Sequence, residues 1–300
     1  MGLTIRPLED HDLPASVELM RQADDARLLT VEGVRHGRET RPERDRVLEL
    51  VAEDDGRIVG GGIGGLNTMT SEPGRGWAFV TVAADRRREG IGALLGERML
   101  DHLRAIGVTN ATTFIRQTDE GEQWAVTRGW SRVLAGPLIA VDPRTVEPPG
   151  PLPEGFRCVP WKLLEPRDVF EAVREAALDE PSATTNDAID FDDFARQWDN
   201  PMLDLESSAA VLDGDRVVAF AELRAAGERG QHGFTGSLRD YRGRGFATAA
   251  KRFALHTAAT RGVRRVTTSN AEENAAMRAI NRKLGFERIG EHVILARDLT

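Results

Sequence analysis

The 300-residue sequence holds one cysteine, Cys158, and one tyrosine, Tyr241. A single cysteine excludes an intrachain disulfide and a cysteine-rich zinc site, and it suits a cytoplasmic setting. The six histidines show no metal spacing such as His-Glu-x-x-His. No apolar run approaches the roughly 18 residues of a membrane span, so no membrane partner is expected. The opening MGLTIRPLEDHD has no apolar signal segment, which predicts a chain that is not exported. Basic excess is lacking as well. Forty Lys and Arg against 48 Asp and Glu give a net charge of −8, which weighs against nucleic acid as a partner. The acidic surplus reads as ordinary solubility chemistry, with an acidic pocket for a cationic substrate as the alternative. No Gly-x-Ser-x-Gly nucleophile elbow occurs. Cys158, on a predicted first strand, reads as a small buried hydrophobe rather than a nucleophile.

What is present is apolar material for two cores (40% hydrophobic residues) and an internal repeat. Leu50-Val51-Ala52, a turn at Asp54-Asp55-Gly56 and Arg57-Ile58-Val59-Gly60 match Ala209-Ala210-Val211, Asp213-Gly214-Asp215 and Arg216-Val217-Val218-Ala219. Each set predicts a hairpin. Next, in both halves, come a strand, an Arg/Gly loop and a helix, over Trp77 to Gly107 and His232 to Gly262. The loop glycines Gly90 and Gly245 stand 155 apart (245 − 90), and each lies 17 residues before a closing glycine, Gly107 or Gly262. Glycine there suits a left-handed helix end. A second strand follows (Val108 to Phe114, Val263 to Ser269), then a helical stretch closing on Gly129-Trp130 or Gly285-Phe286. Between the halves, Asp142 to Phe156 is rich in proline and resists helix and strand. The boundary is expected near 148, giving domains 1–148 and 149–300. Their openings also match: Leu3 to Pro7 against Phe156 to Pro160.

The loops Arg87-Arg88-Glu89-Gly90-Ile91-Gly92 and Arg242-Gly243-Arg244-Gly245-Phe246-Ala247 sit between a strand and a helix start. A first helical turn leaves about four N–H groups without intrahelical partners, and the helix dipole adds positive charge. Glycine lets the backbone approach closely, and arginine supplies charged donors. Each loop therefore predicts a pyrophosphate site.

The pattern Arg/Gln-x-x-Gly-x-Gly/Ala resembles the acetyl-CoA-binding motif of the GNAT acetyltransferase superfamily. The first copy also has Val82 five residues before Arg87, with Ala84 in place of the usual proline. Ser237 and Arg239 take those places in the second. Thr267-Thr268-Ser269-Asn270-Ala271-Glu272-Glu273-Asn274, with Met277, Asn281 and Leu284-Gly285-Phe286, is similar to a segment of two-domain, mainly actinobacterial members such as mycothiol synthase. The resemblance implies an α/β (α+β) fold of two tandem domains. Each would have a mixed, mostly antiparallel sheet with a splayed central parallel strand pair, flanked by helices. It also implies acetyl-CoA in a notch between the splayed strands, near Val82 and Thr113 and near Ser237 and Asn270. The cofactor set is then Val82, Arg87, Arg88, Gly90, Ile91 and Gly92, and Ser237, Leu238, Arg242, Gly243, Arg244, Gly245, Phe246, Ala247, Asn270 and Asn274. A backbone N–H at the end of the first strand of each pair would bond the acetyl carbonyl. The acceptor, a primary amine, would attack directly; a small-molecule amine (a metabolite or an aminoglycoside-like amine) is expected first, with a peptide N-terminus as the alternative.

The attacking amine must lose a proton. Glu222, acidic on the apolar run Ala219 to Leu223, is the first candidate base, with a solvent-facing strand-end glutamate as the alternative. His232 is the second, with a solvent-facing loop histidine as the alternative. Many GNAT enzymes protonate the leaving thiolate with a tyrosine four residues before the closing glycine. Ala125 and Asn281 hold those places here. Ala125 cannot act as an acid, while Asn281 can bond a thiolate or an amide, so catalysis is expected in the second domain. The first would be retained for CoA binding or scaffolding. Acceptor specificity is expected from residues 10–46 and 163–207. Asp187, Asp190, Asp192 and Asp193 read as a solvated acidic face, with a cationic-acceptor site as the alternative. Gly60 to Gly65 satisfies Gly-x-Gly-x-x-Gly but opens no helix, so it reads as a strand with a close backbone contact. The rival to the enzyme is a CoA-binding module that senses or scaffolds without turnover. Acyl groups longer than acetyl stay open, and a monomer or homodimer is expected.

Overall fold

The computed structural model of the chain describes residues 2–179 and 187–300, the Asp119 side chain excepted. Part of the expected acceptor stretch, residues 180–186, thus lies outside the described residues. The chain divides into two compact units, Met1–Ala135 with His292–Thr300, and Gly136–Glu291.

The first unit runs β1 (Thr4–Pro7), α1 (Leu13–Ala23), α2 (Val31–Glu39), β2 (Leu48–Asp54), β3 (Arg57–Leu66), β4 (Arg75–Val82), α3 (Ile91–Ala105), β5 (Asn110–Arg116) and α4 (Asp119–Val126). The chain continues with β6 (Ser131–Val141), β7 (Phe156–Pro160), α5 (Pro166–Ala177), α6 (Phe191–Trp198), β8 (Ala209–Asp213), β9 (Arg216–Ala226), β10 (Arg229–Ser237), α7 (Phe246–Thr260), β11 (Arg265–Ser269), α8 (Ala275–Lys283) and β12 (Glu287–Asp298). The sheet of the first unit has the order β1-β2-β3-β4-β5-β12, and that of the second β6-β11-β10-β9-β8-β7. Within each of these sheets neighbouring strands are antiparallel except β4 with β5 and β10 with β11. These are the mixed, mostly antiparallel sheets with one parallel pair each that the resemblance implied.

The expected single boundary near 148 differs from this division. Residues 146–155 do lack helix and strand, as their prolines predict. But the first unit completes its sheet with His292–Asp298 of β12 against β5, and the second with Leu138–Val141 of β6 against β11. Both strands follow a Gly-aromatic turn, so the repeat assigns one to each half and chain order alone does not say which sheet edge receives it.

Helix periodicity builds each core. In the first unit α3 turns Ile91, Leu95, Met99 and Leu103 inward at four-residue spacing, none more than 1% exposed. In the second, α7 does the same with Phe246, Ala250, Ala254 and Ala258, in one buried cluster with Leu223. The glycine run lies within β3 because neighbours come too close for side chains. A Cβ on Gly64 would stand 2.8 Å from the Trp77 carbonyl oxygen, and one on Gly65 2.6 Å from that of Asp45.

Candidate active site

Helices α1 and α5 carry a proline in the first two residues (Pro14 and Pro166), and α2, α4, α6 and α8 each have a side-chain cap. Helices α3 and α7 have neither; their N-caps are Gly90 and Gly245, left-handed at φ 86° and 84°. Two residues earlier Arg88 (φ 68°) and Gly243 (φ 73°) are left-handed as well. Such alternation turns successive N–H groups toward one concavity, which binds anions. A Cβ on Gly90, Gly243 or Gly245 would meet nothing within 4 Å, so both loops face open space. Uncapped first-turn donors and a helix dipole beside open space fit the pyrophosphate of CoA. Ile91 and Phe246, each 1% exposed, anchor the helix starts in the cores, so only their backbone faces the loop. Of the arginines, Arg87 pairs with Glu120 at 3.5 Å and Arg242 with Asp179 at 2.6 Å, while Arg244 lies over the rings of Phe156 and Phe246.

A notch follows from the strands. β4 and β5 pair only at Arg75–Trp77 with Asn110–Thr112, and β10 and β11 only at Arg229–Gln231 with Arg265–Thr267. Beyond these residues each pair diverges, with β4 running on to Val82 and β10 to Ser237. The two notches differ at their other edge. The β3–β4 ladder is regular, whereas β9–β10 shifts register between His232 and Thr235. That bulge leaves one residue at Gly233–Phe234 without a ladder partner, and an N–H freed there is a donor for a carbonyl oxygen at the notch. Leu238 is not that donor: its N–H bonds the Val218 carbonyl at 3.0 Å, and its side chain is buried in the core.

Glu222 lies on β9 opposite the bulge. A Cβ on Gly233 would stand 2.5 Å from the Glu222 carboxyl carbon, so the carboxylate rests against bare backbone. It pairs with Arg224 at 2.7 Å and is 19% exposed. By strand alternation Glu222 shares a face with Phe220, which meets Ala176 of α5 beside Gly236. The opposite face, toward α7 and α8, holds a buried polar chain. Lys251 Nζ donates to Asn281 Oδ1 at 2.7 Å, and Asn281 Nδ2 donates to Asn270 Oδ1 at 2.5 Å. Lys251 and Asn281 are each 1% exposed, and burial pushes the Lys251 pKa down to about 7. Its Nζ also lies 5.2 Å from the centre of the Phe286 ring.

His232 is not on a solvent-facing loop; it is a buried residue of β10. Its Nδ1–H donates to the Glu222 carbonyl at 2.9 Å, which leaves the lone pair on Nε2, and Nε2 has no partner. Burial and then the charge of Lys251 hold its pKa well below the usual histidine range, so the ring is neutral. Asn274 caps α8 through the Met277 N–H, and the Tyr241 hydroxyl donates to Asp213. Burial pushes the Cys158 thiol up to about 12, which suits an inert apolar role. Asp190 caps α6, and Asp193 pairs with Arg196.

Lys251 escaped the sequence reading. Its signal was there: it sits four residues after Ala247 and three before Ala254, in the apolar stripe of α7. By the repeat offsets, the first unit has Gly96 and Ala125 where the second has Lys251 and Asn281 (251 − 155, 281 − 156). There Trp124 packs over Gly92 and Gly96, at 3.5–3.6 Å from the positions of their absent Cβ atoms.

Among the described residues no helix is long and apolar enough to cross a membrane, and no cluster of His, Cys, Asp and Glu could hold a metal. Of known structures, a tandem GNAT protein from the clavulanic acid biosynthesis pathway superposes with a TM-score of 0.78 at 21% identity, over 100% of this chain and 99% of the other. A GCN5-related N-acetyltransferase from Sphaerobacter thermophilus gives 0.75 at 19% identity, over 99% and 96%. An acetyltransferase assigned as putative, from Pyrococcus horikoshii, gives 0.63 at 16%, over 99% and 90%. At these identities the likeness is one of fold. No curated protein sequence matches the chain. The model of the acetyltransferase (GNAT) family matches twice, at residues 17–126 and 170–286, once around each notch and glycine-capped helix. With most of its length matched in this way, the chain belongs to the GNAT acetyltransferase family, whose general reaction is acetyl-CoA-dependent N-acetyl transfer.

Proposed function

We propose that the second unit transfers acetyl from acetyl-CoA to a small-molecule primary amine by direct attack. The observation that carries this is the division of polar groups across its notch: Glu222 at the bulge on the α5 face, and Lys251 on the α7 face. Acetyl-CoA supplies the acetyl group as a thioester, whose carbonyl carbon is open to an amine. The loop Arg242–Ala247 and the start of α7 hold its pyrophosphate. The bulge N–H bonds the carbonyl oxygen as negative charge builds there. Glu222 takes the proton of the amine, and Arg224 keeps its carboxylate oriented. On the other face Lys251, poised near neutral pH, gives a proton to the departing sulfur, with the neutral His232 Nε2 beside it. Asn281 and Asn270 hold the Lys251 ammonium in place rather than acting as acids. The first unit binds CoA through Arg87–Gly92 and lacks this proton donor. The Asn270–Asn274 segment supports a place among the mycothiol-synthase-like two-domain members, and the lone cysteine supports a cytoplasmic enzyme.

The test is thiol release from acetyl-CoA with a panel of primary amines, for the whole chain and for Gly245→Asp and Glu222→Gln. Aspartate is chosen because it tolerates left-handed φ while placing an anion at the phosphate. Gly245→Asp removes most of the transfer. Glu222→Gln lowers kcat by about 100-fold or more and leaves the KM for acetyl-CoA in place. Acetyl-CoA binding without turnover of any amine would leave the sensing module instead.

A further inference from the structure

A second buried histidine with an unused ring nitrogen lies in the first unit. His292 of β12 and Asp24, at the end of α1, are 268 residues apart in sequence, and His292 Nε2 meets Asp24 Oδ2 at 3.0 Å. Both are buried, at 4% and 7% exposure. The Ala26 N–H donates to the other carboxylate oxygen at 3.1 Å, so the carboxylate is held at both ends. Burial raises the Asp24 pKa, but the His292 bond, the Ala26 N–H and the Arg27 charge outweigh it and hold the group below the usual carboxylate range. An ionised carboxylate only accepts, so Nε2 carries the hydrogen and, in the neutral ring, Nδ1 carries the lone pair. Nδ1 is buried and has no hydrogen-bond partner. A buried acceptor without a donor is costly to keep, and a ligand N–H would offset that cost.

The ring lies beside the gap between the two parallel strands of the first unit. β4 and β5 separate after Trp77 and Thr112, and Phe79 and Phe114 each stand two residues beyond, on opposite walls of the notch. The His292 ring packs on Phe114 with centroids 4.3 Å apart, and the Arg27 guanidinium lies 5.4 Å over Phe79. By alternation these side chains face away from Ala78 and Ala111, which belong to the core under α3. The His292 ring therefore lies against a wall residue of this notch, on the face opposite the core under α3.

We propose that the first unit is a second acetyl-transfer centre for a small primary amine, in which His292, oriented by Asp24, is the catalytic base. The amine nitrogen bonds the acetyl carbon, the carbon–sulfur bond breaks, and the N–H proton passes to His292 Nδ1 and on to water. The thiolate takes its proton from water, because Gly96 and Ala125 supply none, so this centre is the slower of the two. The inference rests on the first loop holding acetyl-CoA, which is part of the reading above.

The experiment uses the full chain carrying Gly245→Asp, acetyl-CoA, and glycinamide, glucosamine, tyramine and spermidine as probes, with the acetylated amine read by mass spectrometry. Amine-dependent transfer persists in this background. His292→Gln lowers its kcat by about 100-fold or more, and Asp24→Asn, which lets the ring adopt the other tautomer, lowers it as well. The KM for acetyl-CoA stays put in both, which a collapsed unit would not allow. If His292→Gln loses acetyl-CoA binding, Asp24→Asn decides the matter. Added imidazole restores part of the rate to His292→Ala, an effect that loss of packing alone does not give. Transfer unchanged in both His292→Gln and Asp24→Asn, or no acetylation of any probe by the Gly245→Asp chain, overturns the proposal. Failure of the second-unit reading shows separately, as transfer that survives Gly245→Asp undiminished and disappears with Gly90→Asp.

Discussion

Replacing Lys251 by methionine separates the chemistry of a buried amine from its packing. The side chain is 1% exposed, and its pKa falls from 10.5 in the unfolded chain to about 7 in the fold. Between those values the unfolded state binds a proton that the folded state does not, so stability rises with pH. At 1.36 kcal/mol per pKa unit, burying this lysine costs about 4 kcal/mol at pH 7 and about 2 kcal/mol at pH 9. Methionine removes that cost but leaves Asn281 Oδ1 without its donor, a loss of about 1–3 kcal/mol that does not vary with pH. Lys251→Met is therefore more stable than the parent chain by about 2 kcal/mol at pH 7, and about equal to it at pH 9. Urea unfolding at the two pH values measures this. Cys158 runs the other way: with its folded pKa pushed up to about 12 from 9.0, its contribution is lost as pH rises above 9. It is common to both proteins and cancels in their difference. Parallel stability–pH curves for parent and variant would refute the buried-amine account.

The remaining predictions concern the same site and its frame. Lys251→Met lowers kcat for acetyl transfer by about 100-fold despite its added stability, checked by steady-state thiol release. Tyr241→Phe leaves kcat unchanged within about twofold, because the lost hydroxyl bonded Asp213 and not the leaving group; the same assay reads it. Gly136→Ala destabilises the second unit by about 1–3 kcal/mol or more, since the new Cβ would clash with the Asn270 carbonyl oxygen and the backbone must move; thermal unfolding reads it.

Repeated local signals made most of the fold legible in the sequence. Asp-Gly turns announced the hairpins β2–β3 and β8–β9, and a glycine before and after each helix fixed α3 and α7 nearly to the residue. The two loops proposed to hold phosphate are local by nature, because a glycine and the next few N–H groups make them. Groups that meet only through the fold were harder to read. Glu222 stands out in the sequence because a charge on an apolar strand is conspicuous. Lys251 sat in plain view on an apolar helix stripe, but only the fold brings it to Asn281. Asp24 and His292 share no local pattern, and His292 enters the first unit on a strand that chain order assigned to the second half. A bulge has no residue signature either: Gly233–Phe234 reads like any strand pair, yet it sets the two notches apart.

The central claim is that both glycine-capped loops hold acetyl-CoA. Calorimetric titration of acetyl-CoA into the whole chain and into Gly90→Asp and Gly245→Asp tests it most directly. Two sites in the parent chain, one lost in each variant, is the result the account predicts. Undiminished binding in both variants, or no binding to the parent chain, would contradict it.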